Sequence, residues 1–148
     1  MSNLQELPFE ITPQVRDCCL CLHAQRAARA LARRFDDALR PLDMNNGQFS
    51  LLMSLNRPEP PTLGSVATLL AMDRTTLTAA LKPLERRKLL QVKVDKEDRR
   101  SRRLVISAAG RRLLNKAYPV WKETHAAAEK LLISATADAL RGALRTLS

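Results

Sequence analysis

Between residues 62 and 107, the spacing of apolar residues changes from a helical pattern to the alternation of a β-strand. This change constrains the fold more than any other feature of the sequence. Thr62 and Asp73 are good helix N-caps, and each precedes a short segment with helical apolar spacing. These signals predict helices at about Leu63 to Leu70 and Arg74 to Arg87. Because only three residues separate the two, they are predicted to form a helix-turn-helix.

A β-hairpin is predicted directly behind these two helices. Residues 91–94 (QVKV) alternate in polarity, and residues 104–106 (LVI) form a second short β-prone run. The charged stretch DKEDRRSRR lies between them as the hairpin loop. A helix pair followed by such a hairpin is a winged helix-turn-helix, so we expect a mainly α (α+β) fold whose two-stranded hairpin is the wing.

Helical stripes flank this lobe, which is assigned to residues 45–107. Apolar residues at spacings of three and four predict one long helix over about Thr12 to Arg40, ended by Pro41. Similar stripes follow the wing, with a kink expected at Pro119. A small wing domain cannot cover all these apolar faces, so residues 12–42 and 111–148 are predicted to be the dimerisation helices of a symmetric homodimer.

The charge of the chain is strongly basic and unevenly distributed. The 148 residues, a length that suits one domain, carry a formal net charge of +10. Residues 82–103 contain ten Lys or Arg and four Asp or Glu, a net charge of +6. A focused positive charge of this kind favours a polyanionic partner such as nucleic acid or an anionic membrane surface. The partner expected for this chain is double-stranded DNA.

Several classes of protein are disfavoured by the sequence. No apolar run approaches the roughly 20 residues of a membrane span, and the N-terminus lacks the pattern of a secretory signal. We therefore expect a cytoplasmic protein with no membrane partner. Neither a phosphate-binding glycine loop nor a recognisable nucleophile motif is present, which argues against an enzyme.

The second helix of the pair is the predicted DNA-reading element. Leu77, Leu81 and Leu84 recur at helical spacing and should be buried. The opposite face then carries side chains that bind bases or phosphates: Arg74, Thr75, Thr76, Thr78 and Lys82. For Thr76, the alternative is a purely structural role in the first turn of the helix.

The segment LGSVATLLAMDRTTLTAALKPLERRKLL, followed by DKEDRRSRRLVISAAGRRLL, resembles the MarR family of regulators. The resemblance implies a dimeric winged-helix DNA-binding protein, usually a repressor, that leaves a palindromic operator when a small molecule or an oxidant acts. One position departs from the family pattern: Lys88 stands where most relatives have glycine, which suits a left-handed helix end.

Roles for the wing residues also follow from this resemblance. Arg100 is expected to enter the minor groove, where negative potential is concentrated. Asp98 is expected to hold the wing in shape by pairing with a nearby arginine. Arg99, Arg102 and Arg103 are expected to be phosphate contacts or charges that flank the strand.

Three cysteines, Cys18, Cys19 and Cys21, lie within four positions of the first helix. They are interpreted as small buried hydrophobic residues, with redox sensing as the alternative, because Cys21 matches the reactive cysteine of the hydroperoxide-sensing branch of the family. A zinc site would need further ligands, and the only histidines are His23 and His125. No metal or cofactor is predicted.

The leading hypothesis is a homodimeric repressor that a small-molecule effector releases from DNA. A pocket for the effector is expected between the first two helices and the helix-turn-helix, although each candidate could instead be plain core. The candidate lining residues are His23, Phe35, Met44, Phe49 and Met53. The rival hypotheses are a peroxide sensor that uses Cys21 and an architectural DNA-binding protein that is indifferent to sequence.

Overall fold

The computed structural model describes residues 6–148, which divide into two compact units, one up to Arg33 and one from Arg34 to Ser148. The described residues form seven α-helices and one two-stranded antiparallel sheet. Across residues 6–148, no helix combines the length and apolar composition that crossing a bilayer requires. The predicted mainly α, winged helix-turn-helix architecture is confirmed.

The predicted single N-terminal helix is instead two helices, α1 (Ile11–Cys18) and α2 (Leu20–Leu39). They are separated by Cys19, whose backbone is extended with ψ 108°. The Cys19 N–H still donates to the Val15 carbonyl at 2.9 Å, so the break occupies one residue. A one-residue break of this kind barely disturbs the apolar spacing, which is why periodicity did not reveal it.

The end of α2 and the start of α3 (Asn46–Ser54) follow from local chemistry. Pro41 lacks an N–H and lies in a short 3-10 turn after α2. Asn45 then caps α3 by a capping box, in which its side chain accepts from the Gln48 N–H and the Gln48 side chain accepts from the Asn45 N–H. The Asp36 carboxylate also accepts a hydrogen bond from the Asn46 N–H at 2.7 Å.

The helix-turn-helix consists of α4 (Leu63–Leu69) and α5 (Arg74–Arg86), each starting at the predicted cap. The wing follows as β1 (Leu90–Val94) and β2 (Arg102–Ile106), paired so that the first residue of β1 lies opposite the last of β2. A further bridge joins Thr62 to Arg103, so the segment before α4 lies along the outer edge of β2.

The C-terminal helices are α6 (Ala108–Glu129), capped by Ser107, and α7 (Ala137–Leu147), capped by Thr136. The expected kink at Pro119 produces no break, since α6 continues through this residue. One apolar core joins α3, α4, α5, the hairpin and α6. Its fully buried side chains include Leu39, Leu52, Leu55, Leu77, Leu84, Leu90 and Leu104.

Candidate nucleic-acid interface

One face of α5 is anchored in the core and the other is free. Leu77, Leu81 and Leu84 are at most 1% exposed, as their spacing predicted. All five predicted DNA-reading side chains of α5 are exposed: Arg74, Thr75, Thr76, Thr78 and Lys82. The helix also continues through Pro83, and its outer face remains accessible.

The threonine hydroxyl groups of α5 have different roles. Thr76 donates its hydroxyl to the Asp73 carboxylate at 2.8 Å, and its backbone N–H donates to the same group at 2.7 Å. These two hydrogen bonds lower the pKa of the Asp73 carboxyl. The Thr76 side chain therefore supports the first turn of α5, the structural alternative considered from the sequence.

Thr78 also uses its hydroxyl proton within the helix, because its Oγ1 donates to the Arg74 carbonyl at 2.7 Å. Its oxygen can still accept a hydrogen bond from outside. Among the residues that the structure describes, the Thr75 hydroxyl has no such internal partner, so it can either donate or accept.

The end of α5 is closed by a left-handed residue. Lys88 has φ 56°, and its N–H donates to the Glu85 carbonyl, while the Leu89 N–H donates to the Leu84 carbonyl at 3.0 Å. This pair of hydrogen bonds is a Schellman motif, which usually contains glycine at the left-handed position. One residue earlier, Arg87 donates through Nη1 to the Asp43 carbonyl at 2.6 Å and so ties the helix end to the turn after α2.

The wing is shaped by two carboxylates with separate partners. Asp98 accepts a hydrogen bond from the Arg100 backbone N–H at 3.0 Å. Asp95 accepts from the Glu97 backbone N–H at 2.9 Å and pairs with Arg103 Nε at 2.8 Å. The structure thus differs from the predicted pairing of Asp98 with an arginine, since the bond from Arg100 comes from its backbone and the ion pair belongs to Asp95.

Arg103 is held on two sides. Besides the ion pair with Asp95, its Nη1 donates to the Pro60 carbonyl at 2.9 Å. The backbone N–H of Glu97 and the Arg103 guanidinium both lower the pKa of Asp95. Arg103 therefore connects the loop end of the wing hairpin to the proline-containing loop before α4, a role that the sequence did not indicate.

A cleft of about 430 Å³ separates the start of α5 from the wing, and we call it the wing cleft. It gathers three arginines from two elements, together with two hydroxyl side chains and one carboxylate. It is lined by Leu63, Gly64, Arg74, Thr78, Asp98, Arg100, Ser101 and Arg102. Two other predicted wing cations, the exposed Arg99 and the half-buried Arg103, lie outside this lining.

The cysteines are not buried within the chain, contrary to the first interpretation. Cys18 and Cys21 are exposed, and Cys19 is partly buried. Gln25 Nε2 donates to Cys21 Sγ at 3.3 Å, and the Leu22 N–H donates to Cys19 Sγ at 3.4 Å. Within residues 6–148, no cluster of three or more His, Cys, Asp or Glu side chains forms a metal site.

The predicted effector-pocket residues divide between core and surface. Phe35, Met44 and Phe49 are buried. His23 is exposed, and its Nδ1 lies 2.8 Å from the Cys19 carbonyl. Phe35, Met44 and Phe49 are thus core side chains, the alternative considered from the sequence.

Met53 is half-buried and lines a cleft of about 420 Å³ that was not predicted. We call it the α3–α6 cleft. It is lined by Met53, Asn56, Arg111, Leu114, Asn115 and Tyr118. Arg111 donates to Asn56 Oδ1 at 3.1 Å, and the Tyr118 ring stacks on Trp121 with centroids 6.1 Å apart. One cation and an aromatic wall thus lie beside apolar side chains.

Comparison with known proteins places this geometry in context. The profile of the MarR family matches residues 44–101, which span α3 to the wing. The DNA complex of the Mycobacterium tuberculosis transcriptional regulator MosR shares 32% identity, covering 87% of this chain and 92% of MosR, with a TM-score of 0.79. No curated protein sequence matches the chain.

Two further solved structures are similar over almost their full length. The transcriptional repressor CouR, solved with a 23-mer DNA duplex, shares 28% identity, covering 96% of this chain and 98% of CouR, with a TM-score of 0.77. A probable transcriptional regulator of Pseudomonas aeruginosa shares 25% identity, covering 89% and 98%, with a TM-score of 0.79. The family profile and the similarity to MosR, together with the capped α4–α5 pair and the charged wing, show that the chain belongs to the MarR family of winged-helix, DNA-binding transcriptional regulators.

Proposed function

We propose that the protein is a homodimeric repressor that binds an imperfect palindrome and is released from it by a small-molecule effector. The observation that carries the DNA-binding part is the exposed polar face of α5 beside the arginine-rich wing. In a dimer, two copies of α5 would enter successive major grooves about one helical turn apart.

Thr75, Thr78 and Lys82 are proposed to meet bases or phosphates in the major groove, and Arg100 to enter the minor groove. Arg74, Arg99 and Arg102 are proposed to contact the backbone. Thr76 and Asp98 are proposed to act indirectly, since their side chains bind the first turn of α5 and the loop of the wing.

Selection of genomic fragments by the purified protein tests sequence-specific repression. We expect one enriched palindrome that unrelated competitor DNA does not displace. Arg100→Ala should weaken binding to it by about 1 to 3 kcal/mol, whereas Lys122→Ala, an exposed cation on α6, should leave the affinity unchanged. Displacement by any competitor DNA to the same extent would instead support the architectural alternative.

The homodimer is supported by apolar side chains that the single chain leaves in water. On α7, Leu140, Leu144 and Leu147 are exposed at helical spacing, and Leu131 and Ile133 precede them. Exposed apolar residues in a continuous row are typical of protein interfaces.

The α3–α6 cleft is the proposed effector site. Arg111 offers a charge, Tyr118 offers a ring, and Met53 and Leu114 offer apolar contact, the mixture common in small-molecule sites. Compounds that raise the thermal midpoint and weaken operator binding would be candidate effectors. Their effect should be lost in Arg111→Ala, and retention of the full effect in that variant would place the site elsewhere.

A thiol-based mechanism is a second candidate, favoured by the exposed Cys21 and by its hydrogen bond from Gln25. Treatment with an organic hydroperoxide should then weaken operator binding in the wild type and not in Cys21→Ser. Unchanged binding with Cys21 still reduced would eliminate this mechanism.

A further inference from the structure

The wing cleft lies where a DNA strand must pass if the proposed function holds. A recognition helix in the major groove and a wing in the adjacent minor groove are separated by one sugar-phosphate backbone. The wing cleft separates α5 from the wing. The space between them therefore lies where the backbone between the two grooves would pass.

The side chains of the wing cleft are suited to a phosphate group. In the part of the chain that the structure describes, the Arg74 and Arg100 guanidinium groups have no protein acceptor within hydrogen-bond distance. Arg102 is held by the Arg99 and Ser101 carbonyls at 3.0 and 3.3 Å, which uses only one of its terminal nitrogens. Planar guanidinium groups bind phosphate oxygens in pairs, more specifically than ammonium groups do.

The other polar groups of the cleft do not compete for this role. The Thr78 hydroxyl already donates its proton to the Arg74 carbonyl. Its oxygen could only accept a further hydrogen bond, and a phosphate diester has no proton to donate. The Asp98 carboxylate is engaged with the Arg100 backbone N–H at 3.0 Å. We propose that the wing cleft binds one backbone phosphate, with Arg74 of α5 and Arg102 of the wing as its ligands.

Gly64 leaves room for Arg74 in this cleft. A Cβ atom at Gly64 would lie 3.2 Å from Arg74 Nη2, so a side chain at this position would crowd the guanidinium and displace it. Gly47 holds the equivalent second position of α3, where a Cβ would meet only Asn45 Oδ1 at 3.4 Å. The chain therefore contains a matched control for a substitution at Gly64.

The salt dependence of operator binding tests this phosphate site. For the palindrome selected by the wild type, the slope of log K against log salt should fall by about 1 in Arg74→Gln, because one phosphate contact and its released counterion are lost. Gly64→Val should reduce the slope in the same direction although Arg74 is retained. Gly47→Val should leave the slope unchanged, with thermal midpoints measured for all variants.

Single methylphosphonate substitutions locate the contact. At one position in each half-site, between the major-groove and minor-groove contacts, neutralising the phosphate should weaken operator binding by the wild type. The same substitution should not change operator binding by Arg74→Gln. An unchanged slope in Arg74→Gln, or an Arg74-dependent phosphate away from that strand segment, overturns this phosphate site. A wild type that selects no site would overturn the proposed function itself, so the two failures are distinguishable.

Discussion

At the scale of single residues, residues 6–148 include three non-glycine residues with left-handed backbone, Asp43, Ala71 and Lys88. Each follows a helical segment and closes it, as glycine commonly does. A side chain in this region crowds its own carbonyl, at a cost of roughly 1 to 2 kcal/mol. These helix ends are therefore held by neighbouring hydrogen bonds and packing, against a local preference.

Replacing Lys88 by glycine should stabilise the protein. Relief of the left-handed strain outweighs the added freedom of the unfolded chain, so we expect an increase of about 0.5 kcal/mol in the free energy of unfolding. Urea unfolding measures the change. Arg86→Gly, in the last turn of α5, is the control and should lose up to about 1 kcal/mol. A loss of stability in Lys88→Gly would contradict the strain argument.

Residues that act on their own backbone could be predicted from the sequence. Thr62 and Asp73 cap α4 and α5 because a side-chain oxygen reaches an N–H three residues away. The ion pair between Asp95 and Arg103 joins residues that are eight positions apart in the sequence, and it forms only when the hairpin folds. The hydrogen bond from Arg103 to the Pro60 carbonyl joins residues that are 43 positions apart. Contacts of that second kind leave no periodic signal, so the sequence assigned the wing carboxylate role to Asp98.

At the scale of elements, the wing is anchored by the buried end of its hairpin loop. The Asp95 side chain is only 10% exposed, and its carboxylate accepts from Glu97 and Arg103. Arg103 then reaches the loop before α4, whose Pro61 carbonyl accepts from the Leu104 N–H at 3.0 Å. The wing and the helix-turn-helix are thus connected through side-chain and backbone hydrogen bonds.

Asp95→Asn should destabilise the protein at neutral pH, and the difference from the wild type should vanish in acid. The folded pKa of Asp95 is lowered, so the stability contributed by the carboxylate is present above its unfolded value near 3.8 and is lost as the pH falls through the folded value. Urea midpoints from pH 7 down to pH 3 measure this. Glu123→Gln, an exposed carboxylate on α6, should show no such pH-dependent difference, and a constant difference for Asp95→Asn would refute the assignment.

The contact between α6 and the hairpin requires a glycine. A Cβ at Gly110 would overlap the Leu89 carbonyl oxygen and lie 2.8 Å from Ile106 Cγ1. Gly110→Ala should therefore destabilise the protein by about 1 to 3 kcal/mol through overpacking. Gly142→Ala in α7, with its nearest neighbour at 3.9 Å, should be neutral or stabilising. Equal effects of the two substitutions in urea unfolding would argue against a close approach at Gly110.

At the scale of the whole molecule, the order of elements was predictable apart from the break at Cys19, because caps and prolines mark most of the changes of period. The clefts could not be predicted from the sequence. Phe35, Met44 and Phe49 are residue types that often line ligand pockets, but here they are buried in the core. Arg111 and Tyr118 lie on α6, at least 55 residues beyond Met53 and Asn56 in the sequence. Only the three-dimensional packing of α3 on α6 brings those side chains to one cleft.

The oligomeric state is the property on which the proposed palindrome depends. Light scattering after size exclusion should give the mass of two chains at micromolar concentration. Leu144→Glu should shift the protein toward the monomer, because Leu144 is 47% exposed in the single chain and a buried carboxylate in an interface lacks a partner. Ala139→Glu, an exposed position on the same helix, is the matched control and should remain dimeric if its face lies outside the interface.

The same pair of variants links assembly to DNA binding. A monomer presents one α5 and one wing, so Leu144→Glu should bind a single half-site as well as the wild type does and lose the extra affinity of the full palindrome. Equal affinity of Leu144→Glu and the wild type for the full palindrome, with Leu144→Glu monomeric, would show that the dimer is not the binding unit.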